Sequence, residues 1–190
     1  MGLDMYLKTN SKKVCKAANK ASGSEEWQIP HGTAIYWRKA NQIHRWFVEN
    51  VQYGEDDCGT YGVEVEKLIE LRDTCRKVLD ASELVDGKVF AGIEYSQEGK
   101  RTLYDDGRVI EDPSVAEELL PTESGFFFGS TNYDEWYYDD LERTVKGIDA
   151  IMENIEPYKQ HSVADLVWDS WREKGEEDEW NVEFTYHASW

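Results

Sequence analysis

The sequence predicts an α+β fold, in which a small antiparallel or mixed sheet packs against about three longer helices. Alternation of apolar and polar residues in MGLDMYL and in NVEFTYHASW predicts one strand near each end of the sequence. Three longer segments between these strands repeat their apolar residues with the period of a helix. We expect the two end strands to pair within one sheet, which would bring the termini together.

The elements between the end strands follow from periodicity and from turn residues. Tyr36 to Gln52 should form a helix, because Tyr36, Ala40, Ile43, Phe47 and Val51 share one face at 100° per residue. Pro157 should end the helix that starts near Tyr133. The remaining expectations are an irregular or partly helical segment at 9–30, a glycine-rich turn at 54–62, helices at 64–81, 113–120, 133–155 and 163–174, and a hairpin or loop at 86–111.

Composition predicts one globular domain over residues 1–190. Aromatic residues make up 13% of the sequence and eight of them are tryptophans, whereas disordered chains are poor in rings. No apolar run approaches the roughly 20 residues that span a bilayer, and we expect no signal peptide. The cysteines Cys15, Cys58 and Cys75 are odd in number and form no CxxC, which predicts reduced thiols in a cytoplasmic protein.

Charge is distributed unevenly along the sequence. The formal net charge is −18, which argues against non-specific binding to nucleic acid or to an anionic membrane. Residues 5–48 nevertheless carry eight basic and two acidic residues, a net of +6. Two interpretations remain open: the basic residues are salt-bridge partners in a soluble acidic protein, or they form an anion site near residues 37–45.

The segment YWRKANQIHRWFVEN, at 36–50, is the first candidate for a ligand site. Asn41 and His44 lie beside the apolar face of the predicted helix, where semi-buried polar groups need hydrogen-bond partners. They either connect the helix to a neighbouring loop or, with Trp37, form one wall of a pocket. The basic candidates for contact with a ligand are Arg38, Lys39 and Arg45.

The segment ESGFFFGSTNYDEWYYDD, at 123–140, is the second candidate. Rings beside flexible glycines suit stacking on a planar ligand such as a nucleobase, and the alternative is an aromatic seam in the core. The ring candidates are Phe128, Tyr133 and Trp136.

Gly129, Ser130 and Thr131 precede a predicted helix, whose free N–H groups are a candidate seat for phosphate. The alternative is simple capping, because Thr131 to Asp134 and Asn132 to Glu135 both fit the capping-box pattern. Asp134 and Glu135 would also repel a second negative group there.

Evidence for catalysis or for a metal is weak. Asp56, Asp57 and Cys58 lie in a glycine-flanked turn, where a helix lead-in is the simpler interpretation than a metal site or a thiol nucleophile. The four histidines lack the spacing of metal ligands, and the sequence contains no GxxxxGK[ST] loop. We therefore assign no catalytic residue, no metal and no cofactor, although a carboxylate pair for acid–base chemistry stays possible.

Four segments resemble an uncharacterised family of small proteins of tailed phages and prophages: MGLDMYL, YWRKANQIHRWFVENVQ, DDCGTY and LLPTESGFFFGSTNYDEWYYDDL. The matching pieces fall between residues 1 and 150, with 9–30 and 86–112 as variable insertions. Members sometimes carry enzyme names, including phosphoglycerate kinase, for which this sequence is too short. The resemblance implies an accessory counter-defence protein of the host cytosol. Some phage accessory proteins act as sponges, which are commonly oligomeric and sequester cyclic-nucleotide or NAD-derived signals without cleaving them.

Three functions are in competition. The first is a non-catalytic binding protein for a small phosphorylated nucleotide, with a homo-oligomeric assembly. The second is an acidic inhibitor that binds a host protein as a nucleic-acid mimic, suggested by the net charge of −23 over residues 49–190. The third is a hydrolase or transferase that uses carboxylates, with His44 or Cys58 assisting.

Overall fold

The computed structural model describes residues 2–24, 30–96, 99–159 and 182–190. The strands are β1 (Asp4–Thr9), β2 (Thr33–Arg38), β3 (Thr60–Gly62), β4 (Leu84–Ser96), β5 (Gly99–Ile110) and β6 (Phe184–Ser189). The helices are α1 (Lys12–Ser22), α2 (Asn41–Asn50), α3 (Val65–Asp80), α4 (Ser114–Leu119) and α5 (Glu135–Lys159). The α+β class is confirmed.

The two end strands pair with each other, as the sequence predicts. β1 and β6 are antiparallel, with Met5 opposite Ala188 and Leu7 opposite Tyr186. All four of these side chains are buried, because alternate residues of a strand face the same side of a sheet. The four-stranded sheet has the order β2-β1-β6-β3 and is antiparallel throughout.

The predicted helix at 36–52 begins five residues later than expected. TAIYWR forms β2, which pairs with β1, so Tyr36, Trp37 and Arg38 lie in a strand. Lys39 then has a positive φ of 61°, which ends the strand, and its N–H donates to the Leu3 carbonyl. The β-branched and aromatic residues of this segment suit a pleated surface, and pairing with β1 decides the outcome.

Helices α1, α3 and α5 are the longer helices of the fold. The segment at 9–30 contains a regular helix, α1, with Ser11 at its N-cap and Gly23 in the left-handed conformation after its last turn. α5 packs closely on β2, since a Cβ added at Gly147 would lie 2.6 Å from a side-chain atom of Ile35. Gly147 therefore permits the close approach of helix and strand.

The C-terminal part of α5 differs from the prediction. The helix continues through Pro157 to Lys159, so the expected stop at Pro157 is wrong. A proline removes a single backbone donor, and near the last turn few hydrogen bonds depend on it. The helix predicted at 163–174 lies outside the described residues.

β4 and β5 form a long antiparallel hairpin, which is one of the two alternatives that the sequence left open for 86–111. At its base, the N–H of Ile110 donates to the Tyr133 carbonyl at 2.9 Å, and Val109 bridges to Asp134. Most hairpin residues beyond this base are exposed.

Cys58 and Cys75 are free thiols, and the Cys15 thiol donates to the Thr33 carbonyl at 3.1 Å. Among the described helices, none has the length and apolar character needed to cross a membrane.

Candidate functional site

The two segments singled out in the sequence lie in contact. The side-chain nitrogen of Asn41, at the start of α2, donates to the carbonyl oxygens of Phe128 at 3.0 Å and Ser130 at 2.8 Å. Its Oδ1 accepts from the N–H of Glu123 at 2.8 Å. Asn41 is almost fully buried. It therefore connects its helix to a neighbouring loop, which is one of the two roles that the sequence left open for it.

His44 also makes interactions inside the protein. Its Nδ1 lies 2.8 Å from the Tyr186 hydroxyl, and its Nε2 lies 3.1 Å from a carboxylate oxygen of Asp56. The ring is fully buried, with an edge-on contact to Phe128. Burial lowers the pKa of His44, and the charge of Asp56 opposes that effect. The imidazole thus connects α2 to β6 and to the loop before β3.

The loop at 56–59 is not a helix lead-in, because β3 lies between it and α3. Asp57 closes the turn by accepting from the N–H of Gly59 at 2.8 Å and from the Tyr61 hydroxyl at 3.0 Å. Among the described residues, no group of three or more His, Cys, Asp or Glu side chains could hold a metal ion.

A cleft of about 390 Å³ lies beside the N-terminus of α5. We call it the α5 cleft. Its lining residues are Arg38, Lys39, Gln42, Thr122, Ser130, Asn132, Asp134, Trp136, Tyr137, Asp139, Asp140 and Arg143. Residues from both predicted segments contribute to it.

The cationic wall of the α5 cleft is formed by Arg38, Lys39 and Arg143. The Arg38 guanidinium is half exposed and donates through Nη1 to Asp4 at 2.9 Å. Lys39 is exposed. Arg143 is held in place by backbone, because its Nε donates to the Ser22 carbonyl at 3.0 Å. Arg38 and Lys39 therefore have the greater freedom to contact a ligand.

The close fit between Lys39 and Gly129 shapes this wall. Gly129 has a φ of +91°, and an added Cβ there would lie 3.0 Å from a side-chain carbon of Lys39. Both the conformation and the contact require glycine. Gly129 thus has a structural role beside the α5 cleft.

The carboxylates of the α5 cleft have different environments. Asp134 is the residue that caps α5, since its Oδ1 accepts from the N–H groups of Trp136 at 3.0 Å and Tyr137 at 3.2 Å. The capping boxes predicted from Thr131 and Asn132 are wrong, because the bridge between Asp134 and Val109 delays the start of the helix. The first N–H groups of the helix are thus already occupied by a carboxylate.

Asp140 is the most perturbed carboxyl group in the α5 cleft. Burial raises its pKa to about 7, against the opposing effects of Arg143 and of a hydrogen bond from Gln42. The neighbouring Asp139 raises it further. A carboxyl group of this kind exchanges its proton near neutral pH.

The aromatic component of the α5 cleft is Trp136, whose side chain is 69% exposed. Tyr137 is buried and donates its hydroxyl proton to the Leu120 carbonyl at 2.9 Å. Phe126 is even more exposed than Trp136, at 94%, but does not line the α5 cleft. Trp136 is therefore the ring that a ligand in the α5 cleft could reach.

The structure divides the predicted ligand-binding residues into two groups. Arg38, Lys39, Ser130 and Trp136 line the α5 cleft. Trp37 does not, because its ring is fully buried and its Nε1 donates to Thr144 at 2.7 Å. The others that do not line the α5 cleft are Asn41, His44, Arg45, Phe128, Gly129, Thr131 and Tyr133.

The contacts of Asn41, His44 and Gly129 are given above, and the other four of these seven also contact neighbouring residues of the protein. Arg45 pairs with Glu49 at 2.8 Å on the outer side of α2. Phe128 is buried against His44 and Trp190. The Thr131 carbonyl and the Tyr133 hydroxyl both accept hydrogen bonds from Thr122.

Sequence reasoning missed the polar face of α5. Trp136, Asp139, Asp140 and Arg143 follow the spacing i, i+3, i+4 and i+7, which places them on one face of a helix. The same pattern was present in the sequence as a polar stripe beside an aromatic residue. Gln42 was also missed, because the late start of α2 changes which residues face the α5 cleft.

A second cavity of about 320 Å³ lies between the end of β1, α1 and residues 30–33. Asn19 and Thr33 line it. Each is almost fully buried and has one side-chain oxygen without a hydrogen-bond partner among the described residues. None of the residues predicted to bind a ligand lines this cavity.

Comparisons with known proteins give no match to a family model, to a curated protein or to a solved structure.

Proposed function

We propose that this protein binds a small phosphorylated nucleotide in the α5 cleft and holds it without cleaving it. One observation carries the proposal: the exposed ring of Trp136 shares a cleft of about 390 Å³ with the exposed cations Arg38 and Lys39. Small-molecule sites have volumes of roughly 300–1,000 Å³, so a compact ligand would fit. A ring beside cations is the combination that recognises a base with an attached phosphate.

In this proposal each wall of the α5 cleft has one role. The indole of Trp136 stacks on the base, a contact worth about 1–3 kcal/mol in comparable sites. Arg38 and Lys39 bind the phosphate, and Arg38 has donors besides the Nη1 group that contacts Asp4. Arg143, fixed on backbone carbonyls, adds positive charge without moving.

The carboxylates restrict the kind of nucleotide. Asp139 and Asp140 accept hydrogen bonds from an exocyclic amino group, which favours adenine, guanine or cytosine. Together with Asp134, they nearly balance the three cations, so the α5 cleft has too little net positive charge to neutralise a triphosphate. The proposed ligand therefore has one or two phosphate charges, as in a cyclic or monophosphate nucleotide.

The proposed biological role is sequestration of a nucleotide signal in the host cytosol, as the resemblance to phage proteins implies. Binding without turnover would lower the free concentration of the signal in proportion to the amount of protein. A homo-oligomer is part of this proposal.

A second candidate function is hydrolysis of the same class of ligand. The observation that favours it is Asp140, a carboxyl group whose pKa of about 7 suits a general acid or base. The two candidates share the α5 cleft and differ in the fate of the ligand.

The experiment is a thermal-shift assay with nucleosides, nucleoside monophosphates, cyclic mononucleotides, cyclic dinucleotides and ADP-ribose. A ligand of the folded state at a hundredfold excess over its Kd stabilises by about 2.7 kcal/mol, so a clear rise in Tm is expected. Arg38→Gln and Lys39→Gln should each reduce the rise. Arg45→Gln is the matched control, because Arg45 pairs with Glu49 away from the α5 cleft.

The same samples separate the two candidates. Intact nucleotide recovered after long incubation supports sequestration, whereas conversion that Asp140→Asn abolishes supports hydrolysis. A rise in Tm that is unchanged in Arg38→Gln, Lys39→Gln and Trp136→Ala would place any binding elsewhere.

A further inference from the structure

The β4–β5 hairpin carries an unusual share of the exposed apolar surface. Eight large hydrophobic side chains are exposed among the described residues, and five belong to this hairpin: Phe90, Ile93, Tyr95, Leu103 and Tyr104. The register places Phe90 opposite Tyr104 and Ile93 opposite Thr102, so four of the five share one face of the ribbon. A two-stranded hairpin is marginally stable alone in water, so this surface favours a partner.

The outer edge of β5 has no strand partner over residues 100–107 in the part of the chain that the structure describes. β5 pairs with β4 on one side, and among the described residues the other side is paired only at the base, where Val109 bridges to Asp134. For residues 100–107 the described structure contains no strand on that second side. Such an edge presents backbone N–H and C=O groups to any strand that can pair with it.

The residues along this edge are complementary to themselves. The sequence K-R-T-L-Y-D-D, residues 100–106, has cations before Leu103 and anions after it at mirror-image spacing. Antiparallel pairing of two β5 strands about Leu103 places Arg101 opposite Asp105 and Lys100 opposite Asp106. By symmetry each pair occurs twice. Opposite charges directly across a ladder stabilise a register, and like charges oppose it.

Pairing two hairpins through β5 would give a sheet of four strands, and the contacts within each hairpin agree with this register. Leu103 lies opposite Gly92 in its own hairpin, so it lacks a side-chain partner there and meets the second Leu103 instead. Arg101, which faces Glu94 within the hairpin, would lie between that residue and the Asp105 of the other copy. Tyr104 would lie beside Thr102 of the other copy and extend the apolar row of Phe90. Charged and apolar rows would both continue across the new interface.

The overall charge also favours this edge for self-association. Two copies with a net charge of −18 repel each other, but residues 84–110 contain five acidic and four basic residues and thus contribute only −1. Contact through the hairpins keeps the acidic parts of both copies apart.

The opposite edge of the hairpin is less suitable. A β4 register about Ala91 would place Lys88 opposite Glu94, but the ladder is irregular between Phe90 and Gly92, and Gly92 has a φ of +146°. A bulge at the centre of the pairing disrupts the row of hydrogen bonds that an added strand needs.

We propose that two copies of this protein form a dimer by antiparallel pairing of their β5 strands about Leu103, which joins the two hairpins into one four-stranded sheet. This inference is independent of the proposed nucleotide site.

Charge variants test the register through sedimentation velocity over a concentration series. Arg101→Glu and Asp105→Arg should each weaken the wild-type dimer about tenfold or more, because each places like charges opposite one another twice. An equimolar mixture of the two variants should dimerise, since both cross-pairs are then opposite in charge. Lys77→Glu, on exposed α3 surface, matches the charge change of Arg101→Glu and should leave the dimer intact.

A cross-link gives a second readout that does not depend on affinity. In a Cys58→Ser background, Leu103→Cys should form a disulfide dimer under mild oxidation, because directly opposed residues have Cα atoms about 4.5–5.5 Å apart, within the disulfide range. Thr102→Cys, one position off the axis, should cross-link more slowly.

Several outcomes would overturn the proposal. They are a monomeric wild type at every concentration, a dimer unaffected by Arg101→Glu, no rescue in the mixture, and no faster cross-linking by Leu103→Cys than by Thr102→Cys. Rescue by mixing Lys88→Glu with Glu94→Lys instead would assign the interface to β4. Circular dichroism confirms that each variant is folded.

Discussion

The side-chain nitrogen of Asn41 lies 2.8 Å from the carbonyl oxygen of Ser130, and the same amide group also bonds Phe128 and Glu123. One buried side chain thus holds a loop of eight residues against the start of α2. Ser130 lines the α5 cleft, so the shape of the proposed site depends on a residue that does not itself line it.

Asn41→Ala should lower the free energy of unfolding by about 2–4 kcal/mol, because it leaves two carbonyls and one N–H without their partner. Urea denaturation measures this effect. Asn50→Ala is the control on the same helix, since Asn50 makes one hydrogen bond to the Trp46 carbonyl. Equal losses in the two variants would contradict the role assigned to Asn41.

Trp136→Ala should weaken nucleotide binding about tenfold or more while leaving the folded protein intact, because the ring is mostly exposed and its loss removes stacking. Isothermal titration calorimetry measures the change. Phe126→Ala removes an even more exposed ring outside the α5 cleft and should bind like the wild type. If Phe126→Ala is impaired and Trp136→Ala is not, the ligand lies elsewhere.

Asp140→Asn should stabilise the protein above neutral pH. Folding raises the pKa of Asp140 from 3.8 to about 7. Its contribution to the free energy of unfolding is therefore fully present below pH 3.8 and is lost as pH rises through 7. The uncharged amide avoids this loss, which gives an expected gain of roughly 1–3 kcal/mol at pH 8. Denaturation curves at pH 5 and pH 8 should show a larger gain at the higher pH, and the opposite order would contradict the assignment.

His44 should make the stability of the protein depend on pH with the opposite sign to Asp140. Folding lowers the pKa of His44. Its contribution to the free energy of unfolding is therefore full above the unfolded pKa of 6.5 and declines as pH falls below that value. His44→Gln removes the titrating group, so its stability should fall less than that of the wild type between pH 7 and pH 5. An equal loss of stability in the two proteins over this range would contradict the assignment.

The end strands, the hairpin and the cores of α3, α4 and α5 were predictable because each has a local pattern. The structure of segment 36–52 was not predictable, because its apolar residues are compatible both with a helix and with a strand. The positive φ of Lys39, which separates β2 from α2, depends on contact with Leu3. Trp37, which was predicted to form a pocket wall, accordingly lies in the core.

For the contact between the 36–50 and 123–140 segments, the sequence predicted that buried polar side chains need hydrogen-bond partners, but not which residues those partners are. Asn41 and His44 required partners, but their partners lie 12 to 142 positions away in sequence and follow from the fold. The start of α5 was also predicted a few residues too early, because a bridge between Val109 and Asp134, which are distant in sequence, holds that segment extended.

The most direct test of nucleotide sequestration in the α5 cleft is native mass spectrometry of protein purified from cells that produce cyclic-nucleotide or NAD-derived signals. Sequestration in the α5 cleft predicts an added mass equal to one intact nucleotide per chain, released by heat, and absent from Trp136→Ala purified in parallel. A wild-type spectrum that shows only the bare polypeptide mass, from cells in which the signals are abundant, would contradict it.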